Sequence, residues 1–421
     1  MNIDYLIIGG GIAGTTAAET IRSRDKDGTI AIITKEPYTL YSRVLLPKYI
    51  EGNISREQTF LRSSEHYNRN GISFFAGEEV TILDPARSEV RTRSGMVFFY
   101  KQLLIAAGGR VKPWRVEGSD ITPFFRLQTI DDADGIRAAM LESATPGITL
   151  VGGGFITLEI LDAVAGHGIP IHVFFPETRY WEKLLDADGS EFLEAHLERT
   201  GIQIHHGEAV TMIRQKEEGG GVLVHTSRRT GYETGIVAVG IGLDRELTPF
   251  TGVGIEIERG IKTNEFLETA VQNIWAAGDI ADHYHPVFQK HILIGNWNNA
   301  FLQGRAAGLN MAERQLHKSN GQPYFAIPLY SLDVLGLHIS FIGSVFSEPG
   351  EEENLQYVTR YRPNVFYERF AIKERRLIGA ILMNKFEDRQ VLERIIREQR
   401  DVLGKLSVFA DASVNLSEQF E

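Results

Sequence analysis

The chain of 421 residues contains no cysteine. That absence excludes a disulfide framework, a zinc–thiolate site and an iron–sulfur cluster held by this polypeptide. It also excludes a redox-active thiol as an internal relay, so any one-electron metal centre belongs to another chain. Positive charge is in short supply: 44 Lys and Arg stand against 55 Asp and Glu, a formal net charge of -11. Nucleic-acid phosphates require a basic face, so no nucleic-acid partner is expected. Long hydrophobic runs are scarce as well. The nearly apolar stretch 147–166 carries a glycine triplet, Glu159 and Asp162, which suits a strand, a turn and a helix better than a membrane span. Met1-Asn-Ile-Asp-Tyr-Leu-Ile-Ile-Gly9 reads as a core strand entering a turn rather than a secretory signal. The expectation is a cytoplasmic protein with no membrane span.

No metal is expected either. His283-Tyr-His285 lacks the accompanying acids or cysteines of a metal site and reads as a loop, and His205-His206 closes a strand. What the chain does have is an ordinary globular balance, 43% hydrophobic and 24% charged, at a length that implies two or three domains.

It also has a repeat. Leu6-Ile-Ile-Gly-Gly-Gly-Ile-Ala-Gly14 is echoed by Leu150-Val-Gly-Gly-Gly-Phe-Ile-Thr157. Each apolar run and glycine triplet leads into a small-residue helix, residues 15–23 and 158–166, then into a second strand, residues 29–34 and 171–175. This is a βαβ unit used twice. A dinucleotide pyrophosphate needs bare backbone N–H groups at a helix start, so Gly9 makes the turn, Gly11 admits the phosphate and Gly14 lets the helix pack closely. Glu36 stands where an acid takes ribose hydroxyls. In the second copy Gly152 and Gly154 occupy the places of Gly9 and Gly11, Thr157 replaces the third glycine, and Ile156 before it is a further candidate cofactor-binding residue. The spans from Ile30 to Glu36 and from Ile171 to Glu177 match, which makes Glu177 the second ribose acid or else a solvated loop charge.

On these motifs the sequence resembles the FAD-dependent pyridine-nucleotide oxidoreductases of glutathione-reductase type. Within them it is most similar to NADH-dependent rubredoxin and ferredoxin reductases, the flavin domain of nitrite reductase and the FAD subunits of multi-subunit dehydrogenases. Glu36-Pro-Tyr-Thr-Leu-Tyr-Ser-Arg43-Val-Leu-Leu-Pro-Lys48 is similar to the rubredoxin-reductase signature. The resemblance implies that Arg43 faces the FAD pyrophosphate and Lys48 lies beside the flavin. Ala107 and Gly108 match the turn closing the first nucleotide domain. Gly278-Asp279 looks like the second FAD fingerprint, with the aspartate on the ribityl chain. Asn296-Trp297 opens a helix aimed at the flavin pyrimidine. Gly240 closes the second nucleotide domain. Lys48 and Glu159 are expected to pair beside the flavin as catalytic residues. The family's redox cysteine pair is missing, Phe175 stands where many relatives carry an acid, and Gln128 stands where they carry arginine.

The implied fold is α/β, with two Rossmann-like nucleotide-binding domains and a C-terminal α+β domain. Residues 1–112 and 246–325 would form a split FAD domain, 113–245 the NAD(P) domain and 326–421 an interface domain that finishes on a helix. The implied function is transfer of electrons between NADH and an external iron–sulfur or rubredoxin-type protein, as the FAD subunit of a larger complex. Alternatives are a cysteine-independent NADH oxidase and a nucleotide-sensing interaction module. FAD is the expected flavin, and NADH is favoured over NADPH because 175–179 offers one arginine against one glutamate. A homo- or hetero-oligomer is open. Lys373, Arg375, Arg376 and the arginines of 389–400 form either a docking face for an acidic partner or a solvated helix interleaved with Glu374, Glu393 and Glu398.

Overall fold

A computed structural model describes residues 1–142, 146–217, 221–319, 321–345 and 355–420. The chain divides into two compact units, one of residues 1–44, 56–110 and 244–326, the other of 45–55, 111–243 and 327–421. The fold is mixed α/β.

The first unit is built on a seven-stranded sheet. Ile72–Ala76, Ile30–Thr34, Asn2–Ile8 and Val97–Ile105 lie side by side and parallel, with Ile274–Ala276 also paired to Val97–Ile105. Parallel strands are covered on both faces, which is why Leu6-Ile7 and Leu103-Leu104-Ile105 are unbroken apolar runs with no exposed surface. Ile8 registers with Ile33 on one side and Ile105 on the other. The first glycine-loop helix is Ile12–Arg24, longer than the sequence expectation because Gly11 itself caps it. It packs on the helix Trp297–Gln315 through two glycines. A Cβ on Gly304 would overlap the Ala13 carbonyl, and one on Gly308 would come within 2.6 Å of the Ala17 carbonyl oxygen.

The expectation of a loop at His283-Tyr-His285 is corrected here. Both histidines lie on the strand Ala281–His285, buried between Ile261–Thr263 and Lys290–Leu293. Strand side chains alternate, so His283 and His285 share one face.

In the second unit Gln203–His206, Ile171–Phe175, Ile148–Val151 and Ile236–Val239 form a parallel sheet in that order. The helices Phe155–Ala165 and Ala187–Arg199 belong to it. A separate three-stranded antiparallel sheet spans Val210–Gln215 to Gly231–Thr234. Beyond it a five-stranded antiparallel sheet runs in the order Leu329–Val334, Leu337–Gly343, Arg376–Met383, Phe366–Lys373, Leu355–Arg362. The helix Arg389–Arg397 buries Val391, Leu392, Ile395 and Ile396.

The chain does not finish on that helix. It continues through Leu406–Ala410 and Leu416–Gln419, where Phe409 packs between Phe370 and Phe420. Five of the six arginines expected to form a docking face make contacts within the unit. Arg375 pairs with Asp401 at 2.7 Å, Arg397 with Glu393 and Arg400 with Glu398, while Arg394 donates to the Phe420 carbonyl at 2.6 Å and Arg376 to Gln399 at 2.5 Å.

Candidate functional site

In the first unit the turn after Asn2–Ile8 requires glycine twice. Gly9 has φ +113°, and a Cβ there would overlap the Ala106 carbonyl, while a Cβ on Gly14 would overlap the Gly9 carbonyl. Gly11 differs from both: a Cβ there meets nothing within 4 Å. Gly11 caps Ile12–Arg24 with no side-chain hydrogen bond, so the first-turn amides and their positive end of the helix dipole are presented to open space.

Gly10, Gly11, Glu36, Tyr41, Arg43 and Trp297 line one cleft. Glu36, two residues past Ile30–Thr34, accepts a hydrogen bond from Tyr41 Oη at 2.5 Å and pairs with the Arg43 guanidinium. Asp279 follows Gly278, whose φ is +81°. Burial raises the Asp279 carboxyl pKa, and the charges of Arg245 and Arg43 pull it back. Gly295 lets the chain approach so closely that a Cβ would lie 3.3 Å from Asp279 Oδ2. Ala107 is exposed at the adjoining strand end, followed by Gly108 at φ +65°. Asn296 caps the helix Trp297–Gln315 by accepting from Asn299 N at 2.7 Å.

This arrangement fits a dinucleotide flavin. It offers an open glycine cradle at a helix start, a carboxylate at the end of the neighbouring strand, and a guanidinium between two carboxylates.

The second copy lies in the other unit. Gly152 has φ +107°, and a Cβ there would lie 2.5 Å from the Gly240 carbonyl oxygen. Thr157 Oγ1 donates to that same carbonyl at 3.2 Å, so threonine in the third-glycine place anchors the helix to the strand end. Gly154 caps Phe155–Ala165 without a side-chain bond, and Ile156 lies half-buried in the first turn. Phe175 is buried, its ring 3.3 Å from where a Gly153 Cβ would be, and it cannot reach a ribose. Glu177, two residues on, is exposed, and its carbonyl accepts from Gly207 N at 2.6 Å.

Glu159 is half-buried on Phe155–Ala165. Tyr330 Oη donates to it at 3.1 Å, and burial raises its pKa. Lys48 is exposed on the short helix Leu46–Glu51, which Arg137 holds through the Tyr49 carbonyl at 2.6 Å. Among the described residues no ion pair joins Lys48 to Glu159, contrary to the sequence expectation. Burial disfavours the Glu159 carboxylate, and the Tyr330 phenol opposes that rise by donating to it. Gln128 Oε1 accepts from Val111 N at 2.9 Å.

Three residues escaped the sequence reading. Gln303 is buried on Trp297–Gln315 and accepts from Gly278 N at 2.7 Å; a polar residue two turns below Asn296 on a buried face was the available signal. Arg245 donates to the Asp279 carbonyl at 3.0 Å, and Tyr330 contacts Glu159 from 171 residues away. No local signal marks either. Among the described residues no group of three or more His, Cys, Asp or Glu could hold a metal, and no helix is long and apolar enough to cross a membrane.

A family model described as pyridine nucleotide-disulphide oxidoreductase matches residues 3–304. The NADH-dependent phenylglyoxylate dehydrogenase subunit epsilon of Aromatoleum evansii is 25% identical over 407 residues, 96% of this chain and 94% of that protein. The rubredoxin-NAD(+) reductase of Pseudomonas putida is 24% identical over 380 residues, 90% of this chain and 95% of that protein. Among solved structures, the reductase in a covalent putidaredoxin reductase–putidaredoxin complex superimposes with a TM-score of 0.88 at 23% identity. The match covers 99% of this chain and 97% of that one, and it shows the fold.

Proposed function

The chain belongs to the pyridine nucleotide-disulphide oxidoreductase family, and on that footing we propose that it is an FAD-dependent NAD(H) oxidoreductase passing electrons to or from an external iron–sulfur or rubredoxin-type protein. The observation that carries the proposal is the absence of cysteine from a chain with two dinucleotide-type glycine turns. The disulphide named in the family's description cannot exist here, so electrons leaving the flavin must leave the chain. Relatives with a rubredoxin partner or a place in a multi-subunit dehydrogenase support the same reading.

Bound FAD would supply the conversion between a two-electron hydride and single electrons. In this reading Gly9, Gly11 and Gly14 shape the pyrophosphate cradle, and Glu36 exchanges its Tyr41 and Arg43 contacts for ribose hydroxyls. Arg43 then turns to the pyrophosphate, and Asp279 accepts from the ribityl chain. Ala107, Gly108 and Trp297 complete the site. Gly152, Gly154, Ile156 and Gly240 receive NADH, with Glu177 on the ribose hydroxyls. Glu177 repels a 2′-phosphate, which favours NADH over NADPH. Lys48 and the Glu159–Tyr330 pair serve the nicotinamide end. Residues 1–112 and 246–325 are then the FAD domain, residues 113–245 the NAD domain and residues 326–421 the interface domain. A cytoplasmic location belongs to the same reading, since NADH is supplied there.

Steady-state turnover tests it. Purified protein should carry non-covalent FAD and reduce a dye or a rubredoxin with NADH at least about tenfold faster than it reduces oxygen. Oxygen consumption at the dye rate would favour an NADH oxidase, and flavin of another kind would end the proposal.

A further inference from the structure

Beside the candidate FAD turn is a set of buried polar groups that the reading above does not use. Gly278 N–H donates to Gln303 Oε1 at 2.7 Å. An N–H cannot accept, so the amide of Gln303 has one allowed orientation, with its NH2 turned away. That NH2 lies 3.0 Å from His283 Nδ1 and must donate to it, so Nδ1 is the unprotonated nitrogen. His283 has no exposed surface, and burial pushes its pKa down to about 3. The neutral ring therefore carries its proton on Nε2, and that group has no hydrogen-bond partner among the described residues. The Ile292 carbonyl across the strand pair acts weakly on the ring but lies outside hydrogen-bond geometry.

His285 presents the complementary defect. Its Nε2 lies 3.1 Å from the Ala326 carbonyl and must donate there. Burial pushes this ring down to about 4, so it too is neutral, and its Nδ1 is a bare acceptor with no donor. The two rings share a strand face with centroids 5.7 Å apart at 59°. Tyr324 closes one side edge-on to His283 at 5.3 Å, its hydroxyl engaged with Asn299 at 2.8 Å, and Phe288 packs on His285.

A buried donor without an acceptor, on a ring whose centroid lies 5.7 Å from that of a ring with a buried acceptor lacking a donor, is costly unless something joins them. The geometry points to one ordered water accepting from His283 Nε2 and donating to His285 Nδ1, closing a relay from Ala326 to the Gly278 amide that makes Gln303 and His283 positioning residues for the FAD turn. The relay holds the turn from beneath by a fixed sequence of donors and acceptors, each of which dictates the tautomer of the next. Water suits the gap because it can accept from one ring and donate to the other. The inference deepens the FAD reading and rests on it.

Two measurements on the full-length protein separate the relay from that reading. Histidine-selective 15N labelling in long-range 1H–15N spectra should show His283 and His285 each as the Nε2–H tautomer, with and without FAD. A slowly exchanging His283 Nε2 proton should give a cross-peak to water. An Nδ1–H tautomer at either residue, or no water contact, overturns the relay even if FAD binds. FAD affinity reads the positioning role: Gln303→Leu should weaken binding by about tenfold and His283→Phe by at least about threefold, the range of one buried hydrogen bond. A folded His283→Phe protein, judged by an unchanged circular dichroism spectrum, that binds FAD with wild-type affinity removes the positioning role. A wild-type protein that binds no FAD would instead sink the FAD reading and leave the tautomer result standing.

Discussion

At the scale of single residues, the glycines of the first turn look alike in sequence and differ in what surrounds them. Gly9 combines a positive φ with a Cβ position inside the Ala106 carbonyl, whereas Gly11 faces open space. Gly9→Ala should therefore damage folding, with a loss of about 2 kcal/mol or more from strain and overlap. Gly11→Trp should fold with a thermal midpoint near wild type and yet lose the flavin absorbance, because its ring fills the phosphate cradle. Thermal unfolding and visible spectra of the two variants check this, and equal loss of stability in both would contradict it. Glu159 shows the other side of residue-scale reasoning. Its position on a glycine-loop helix was legible, but its partner was not: Tyr330 reaches it from a strand 171 residues away, and a lysine nearer in sequence remains exposed.

At the scale of elements, the C-terminal sheet carries a buried charge cluster. Arg360 on Leu355–Arg362 pairs with Glu368 on Phe366–Lys373 and with Asp388 before Arg389–Arg397, and it donates to the Val414 carbonyl at 2.9 Å. One cation against two carboxylates leaves net negative charge in a dry site. Burial accordingly pushes Glu368 up to about 7, with Asp388 adding to the rise and Arg360 opposing it. A carboxyl whose pKa is raised on folding holds its proton more tightly in the folded state. Its contribution is most favourable below the unfolded value near 4.5 and is lost as pH rises towards about 7. Glu368→Gln should remove that dependence: its thermal midpoint should change less than that of wild type between pH 5 and pH 7.5. Parallel pH profiles for the two proteins would show that Glu368 does not titrate in this range.

At the scale of the whole molecule two buried sites, one in each unit, carry opposite pH sensitivities. In the first, His283 and His285 are held neutral by burial, with pKa values near 3 and 4. A basic group whose pKa is lowered on folding contributes stability that is present above the unfolded value near 6.5 and is lost as pH falls through the folded one. Acid should thus weaken the histidine site of the first unit while relieving Glu368 in the other. Flavin release followed by fluorescence should begin as pH drops below about 6, and His285→Phe, which keeps a ring but cannot be protonated, should move that onset lower. An unchanged onset would place the acid sensitivity elsewhere.

What the sequence determined by itself was whatever a short stretch of chain can enforce. A strand that must turn sharply into a helix needs glycine at Gly9 and Gly152, a parallel strand covered on both faces needs an unbroken apolar run, and a helix start needs a cap such as Asn296. Those constraints act within a few residues, so the two glycine turns, the helices they open and the acid at Glu36 were readable in order along the chain. The missing cysteines likewise excluded an internal disulfide before any fold was known. Tertiary structure alone decided the rest. It put His283 and His285 on a buried strand instead of a loop, joined Gln303 to Gly278, gave Glu159 a tyrosine instead of a lysine, and tied the C-terminal arginines to carboxylates and carbonyls. Each of these depends on which strands pair and which faces become dry. The energy of a polar group is set by what lies within hydrogen-bond reach after water is gone, and sequence neighbours do not fix that.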